Sequence, residues 1–233
     1  MKSTKYFVFA AFVLLLLAAA GCSSTTEIDE DNLDEAYATS EEELGEDKGI
    51  YIDEENNTVK VYATVNGKYL VEPTRHGLNW IGGKYGDQAV FKGYANPLSF
   101  YEALETIGGE PATAKGENSE DGFKETDEGK VIQGDPVDVS ITWEGAGKDY
   151  DINEVMVDST GKEIAYRYGG NYDNAKEMMT GCFMCFDSCP VGITSNASHP
   201  VDTFEDGEAE FHGDADVLPE DGTPVVLSYT FAK

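Results

Sequence analysis

The sequence predicts a β-rich α+β domain, a mainly antiparallel sheet with one or two short helices. Two runs alternate apolar and polar residues: Val137, Val139, Ile141 and Trp143 set against Asp138, Ser140 and Thr142, and Val225, Leu227, Tyr229 and Phe231 near the end. Such alternation marks a strand buried on one face. Most spacers between strand-like runs are too short for parallel crossovers, so antiparallel pairing should dominate. Only one stretch carries strong helix signals at both ends.

The chain opens with Lys2 and Lys5 ahead of an uncharged run over residues 6–20, which leads into Ala19-Ala20-Gly21-Cys22. A basic start, a short apolar run and small residues make an export signal, and this ending resembles a lipobox. The run falls short of the roughly 20 apolar residues that a spanning helix needs. Residues 1–21 are therefore expected to be a signal peptide, with lipid on Cys22 anchoring the mature chain to a membrane outside the cytoplasm. Residues 22–48 hold Asp29-Glu30-Asp31 and Glu41-Glu42-Glu43 and few large apolar side chains, the composition of a solvated acidic tether. Residues 49–233 should form a single domain.

Within that domain Ile50-Tyr51-Ile52, residues 58–65 and Tyr69-Leu70-Val71 read as hairpin strands, with Glu55-Asn56-Asn57 and Asn66-Gly67 as turns. A strand over residues 88–94 leads to Asn96 as N-cap and Pro97 at the first helical position. Leu98, Tyr101, Leu104 and Ile107 follow on one face, and Gly108 ends the best helix in the chain. Residues 109–129, rich in Gly, Glu and Asp, read as a long exposed loop. Ser159-Thr160-Gly161-Lys162 turns the chain toward a strand over residues 163–168, and Asp221-Gly222-Thr223-Pro224 turns it into the last strand. A short helix is expected over residues 171–180.

The 45 acidic residues against 16 basic ones give a formal charge of −29. That balance excludes nucleic acid as a partner. It also excludes attachment to anionic headgroups through a basic surface, so the membrane would be held by lipid alone.

With Cys22 assigned to lipid, three cysteines remain, all in Gly181-Cys182-Phe183-Met184-Cys185-Phe186-Asp187-Ser188-Cys189-Pro190. Their C-x2-C-x3-C-P spacing equals the last three cysteines of the bacterial ferredoxin run, whose first place falls here on Met179. A thioether does not replace a thiolate on iron. Candidate fourth ligands are His76, Asp187, His199 and His212. The residues fit four readings: an iron–sulfur cluster of 4Fe-4S or 3Fe-4S type, a disulfide with one spare thiol, a Cys3His zinc site, or a catalytic dithiol. The dithiol is disfavoured, because a helix before the motif turns its negative end toward Cys182 and, with Asp187 alongside, should raise the thiol pKa. Arg75 and His76 together are a candidate anion or ligand site. No Gly-x-Ser-x-Gly, metalloprotease helix or paired-carboxylate pattern is present, so no catalytic residues are expected.

Several motifs tie the chain to a known family. They are Leu70-Val71-Glu72-Pro73-Thr74-Arg75-His76-Gly77, Trp143-Glu144-Gly145-Ala146-Gly147-Lys148, Gly169-Gly170-Asn171, Asp187-Ser188-Cys189-Pro190-Val191-Gly192-Ile193 and Asp221-Gly222-Thr223-Pro224-Val225. On these residues the chain resembles the bacterial YdjY-domain proteins, exported and described as ferredoxin-like, over most of the mature domain. The resemblance implies an iron–sulfur role for Cys182, Cys185 and Cys189, hence a lipid-anchored extracytoplasmic electron carrier with an unidentified redox partner. It does not imply a ferredoxin fold, since the Cys-Pro cysteine of two-cluster ferredoxins serves the other cluster and this chain has no second run. The alternative is a non-enzymatic binding or structural lipoprotein with a disulfide or a Cys3His zinc site at the same cysteines.

Overall fold

The structure, a computed structural model, describes residues 28–231. The expected signal peptide and the lipid site at Cys22 lie outside the described residues. Among the described residues no helix is long and apolar enough to cross a membrane.

The α+β, mainly antiparallel architecture is present. The main sheet runs in the order Tyr166–Tyr168, Thr194–Asn196, Cys182–Cys185, His76–Trp80, Ala89–Gly93, Thr58–Val65, Pro224–Phe231, Val137–Trp143 and Tyr150–Asp151. The two alternating runs seen in the sequence pair along their whole length, from Val225↔Trp143 to Phe231↔Val137. Among the described residues, parallel strand pairing joins His76–Trp80 with Ala89–Gly93, Cys182–Cys185 with Thr194–Asn196, and Tyr37–Ala38 with Ile50–Asp53, and an isolated parallel bridge joins Ser188 and Val201. The sheet curls until its ends approach: Tyr168 N donates to Asp135 O at 2.8 Å, and Pro136 bridges Arg167.

Helix Pro97–Thr106 fills the curl. Asn96 Oδ1 accepts from Leu98 N and Ser99 N at 2.9 Å, a cap worth about 1 kcal/mol. Phe100 is fully buried and touches rings from distant strands, Phe183 at 4.8 Å and Tyr229 at 4.6 Å between centroids. Burying one such side chain contributes roughly 2–3 kcal/mol, so this helix and the two strands hold one another in place.

Three expectations are corrected. Tyr69-Leu70-Val71 is not a strand: Gly67–Leu70 forms a 3₁₀ turn that buries Tyr69 and Leu70, because Gly67 N is tied to Asp221 Oδ1 at 2.8 Å. The expected hairpin of Ile50–Asp53 with Thr58–Val65 is present, and the further partners of Thr58–Val65 are Ala89–Gly93 and Pro224–Phe231. The loop over residues 109–129 contains the start of a hairpin, Phe123–Thr126 paired with Gly129–Ile132, in which the acidic residues face outward.

The acidic segment is not a free tether over residues 28–44. Tyr37–Ala38 extends the sheet, Leu33, Ala36 and Tyr37 pack on the core, and the Tyr37 hydroxyl donates to Ser99 O at 2.6 Å. Glu30 accepts from Tyr172 Oη at 2.7 Å and pairs with Lys176 at 2.6 Å. A few well-spaced apolar residues dock the segment, while most of its carboxylates remain in water and add charge without opposing the contact.

Candidate metal centre

The cysteine motif begins where helix Tyr172–Met178 ends. Its C-cap, Met179, lies in the left-handed region at φ 47 and packs on the core. Strand Cys182–Cys185 then runs between His76–Trp80 and Thr194–Asn196. In a regular strand Cys182 and Cys185 would face opposite sides of the sheet, since side chains alternate. Here the register against His76–Trp80 shifts twice, between Cys182 and Met184 and between Met184 and Cys185. The irregularity re-aims the side chains, and Cys185 comes to lie opposite His76.

The result is convergence: His76, Cys182 and Cys185 place ligand atoms within 4.8 Å of one another, all buried. Cys182 Sγ lies 3.4 Å from His76 Nδ1. Cys189 joins the same buried cluster, packed with the other two cysteines and Val191. Its loop is pinned by the buried Asn171, whose Nδ2 donates to Cys189 O at 3.1 Å and Gly192 O at 2.8 Å. Gly192 is required here, because a Cβ at that position would stand 2.8 Å from Cys185 Sγ. Gly83 serves similarly on the other side, where a Cβ would meet Gly181 Cα at 2.5 Å. This close approach lays the loop after Trp80 on the motif, Tyr85 N donating to Thr180 O at 3.0 Å, and stacks Tyr85 on the His76 ring at 5.7 Å.

The electrostatics follow from this packing. The neighbouring Cys185 and His76 side chains hold Cys182 well below the ordinary thiol range against the opposing effect of burial. The neighbouring Cys182 and Cys189 sulfurs, together with burial, push Cys185 well above it. Cys189 is lowered, first by Cys185 and then by the charge of Arg75. Burial alone would lower His76, yet the Cys182 thiolate beside it leaves it raised. The sequence-based expectation of uniformly raised thiols is thus corrected, because Cys185 and His76 outweigh the helix end. Asp187 is also neutralised as an influence: fully buried, it takes Arg75 Nη2 at 3.0 and 3.1 Å and Phe204 N at 3.3 Å.

Of the candidate fourth ligands, only His76 reaches the cysteines. Asp187 is occupied by Arg75. His199 Nε2 lies 2.6 Å from Asp158 Oδ2 and its ring stands edge-on to Phe211. His212 Nδ1 lies 2.8 Å from its neighbour's carbonyl, Gly213 O, on a separate two-stranded sheet. Arg75 is unsuited to an external anion, since Asp187, Glu205 at 3.1 Å and Asp202 at 3.8 Å already surround it. The sequence gives no hint of Tyr85, Thr180 or Met178, which line a cleft of about 470 Å³ together with His76, Cys182 and Cys189. Only the fold brings them there.

The donor spacing can be set against that of known metal groups. Around one ion bound at roughly 2.0–2.3 Å, neighbouring N and S donors lie roughly 3.5–3.8 Å apart. Thiolates on different irons of a cubane stand roughly 6 Å apart. The set here, His76, Cys182 and Cys185 within 4.8 Å and with one contact of 3.4 Å, has the spacing of donors around a single ion.

Comparison with known proteins adds a relationship. The model of the YdjY domain matches residues 50–230. A protein of Escherichia coli (strain K12), "Uncharacterized protein YdjY", is 41% identical over 222 residues, covering 94% of this chain and 93% of that protein. No solved structure matches.

Proposed function

The chain belongs to the YdjY-domain family, and from that premise we propose that it is a metal-binding protein, not an enzyme, in which His76, Cys182 and Cys185 hold one thiophilic ion with Cys189 beside them. The observation that carries this reading is the convergence of one imidazole and two thiols within 4.8 Å in a β-sheet core. Sulfur and imidazole donors select soft or borderline ions such as zinc and Cu(I). An ion held by Cys182 and Cys185 takes the place of a thiol proton, with His76 Nδ1 already 3.4 Å from Cys182 Sγ. The family's ferredoxin-like description favours an iron–sulfur carrier, but the donor spacing supports a single ion.

The full chain, purified anaerobically from metal-replete cells, is expected to carry close to one equivalent of thiophilic metal and no acid-labile sulfide. A brown protein with stoichiometric iron and sulfide would restore the electron-carrier reading. Metal-free protein with all three thiols titratable, and no uptake on reconstitution, would remove the metal altogether.

Location is proposed on separate grounds. The basic start, the apolar run and Gly21-Cys22 support export and acylation at Cys22, which would hold the domain at the outer face of a membrane. Mature protein should partition into detergent, and Cys22→Ala should move it to the aqueous phase. Unacylated wild-type protein would defeat this assignment.

A further inference from the structure

The metal centre is open on one side. His76, Cys182 and Cys189 line a cleft of about 470 Å³, and Met178 lines it too, half exposed at the end of its helix. The centre's own sulfurs are nearly sealed, at 2% exposure for Cys182, 0% for Cys185 and 7% for Cys189. A half-exposed methionine thus shares the cleft with the buried thiols.

The carboxylates near the centre are already engaged. Glu205, a carboxylate of the lining, is engaged by Arg75 Nη1 at 3.1 Å, and the buried Asp187 by Arg75 Nη2. A structural zinc site is closed by four ligands, whereas the donors that converge here are three, one nitrogen and two sulfurs. Three such donors satisfy a monovalent d10 ion, and a thioether is a good ligand for Cu(I). A buried resident ion would need no path, and no sulfur beside one.

We propose that the centre takes up Cu(I) as exchangeable cargo through this cleft, Met178 binding the ion first and passing it to Cys182, Cys185 and His76. This deepens, and rests on, the single-ion reading above. The transfer is a ligand exchange: the Cu–S bond to Met178 breaks as bonds to the thiolates and imidazole form. Protons displaced from the cysteine thiols and from the His76 nitrogen that binds the ion leave to solvent, and no electron moves.

The test presents Cu(I) as its bicinchoninate complex to the anaerobic full chain, with Zn(II) offered from a chromophoric chelator in parallel. The chain should withdraw one equivalent of Cu(I) and exchange bound zinc for it. Met178→Leu, at a half-exposed position, should slow uptake about tenfold, the effect of one weak ligand, and leave the final stoichiometry unchanged. Cys182→Ser should abolish uptake. Binding of zinc with Cu(I) left in the chelator would overturn the Cu(I) inference and leave the single-ion reading standing. Binding of neither metal would overturn both. Wild-type uptake rates in the Met178→Leu chain would remove Met178 from the path.

Discussion

Replacing Cys182 with Ala is expected to lower the affinity for the bound ion by at least about a hundredfold, since loss of an outer-shell partner alone costs about 10–100-fold. Cys182 is the residue on which the centre turns. It contacts His76 Nδ1 at 3.4 Å and has its ligand atom within 4.8 Å of that of Cys185, so its loss leaves His76 and Cys185 without the donor that joins them. The fold should survive, because the strand is held by backbone bonds such as Ile193 N to Cys182 O at 3.4 Å, and Phe183 and Met184 still anchor it in the core. Chelator competition reads the affinity and near-UV circular dichroism reads the fold. His76→Ala and Cys185→Ala should behave like Cys182→Ala, and Cys189→Ala should cost less. His199→Ala and His212→Ala should leave affinity untouched, since those rings lie at other contacts. Equal losses at all six positions would mean that binding is not localised at the proposed centre.

Asp187→Ala should cost about 3 kcal/mol of stability, at the lower end of the roughly 3–5 kcal/mol for breaking a buried ion pair, because Arg75 keeps 18% exposure. The substitution strands the guanidinium beside two exposed carboxylates and leaves Phe204 N without its acceptor. For a domain of this size the melting temperature should fall by about 6–12 °C. Asp187→Asn keeps the volume and an acceptor oxygen, and should lose about half as much. Both should be measured on metal-free protein, so that the fold is read without the ion's contribution. A metal-free Asp187→Ala chain that melts with wild type would show that Arg75 finds equal compensation in Asp202 and Glu205.

The same pair shows why sequence reasoning placed Asp187 and Arg75 at the wrong task. Asp187 sits between two cysteines and reads as a ligand, while Arg75-His76 reads as an anion site. Their separation of 112 residues hides the fact that they satisfy each other. Once paired, neither has charge to offer a metal or an anion, and His76 is left as the group that faces the cysteines.

What the sequence determined by itself is what depends on short range. Strand alternation from Val137 to Trp143 and from Val225 to Phe231, the Asn96-Pro97 helix start and the tight cysteine spacing are all local patterns, and each is found in the fold. What only the tertiary structure decided depends on who the neighbours are. Tyr69 and Leu70 gave up a strand for a turn because Asp221 holds Gly67. The acidic segment docked because Leu33, Ala36 and Tyr37 found an apolar surface that composition averages away. The centre itself is the clearest instance. Three residues apart on an ideal strand, Cys182 and Cys185 would never meet, and only two register shifts against His76–Trp80 turn both toward one histidine. Register is a property of a pair of strands, and the strand that sets it lies about a hundred residues earlier in the chain.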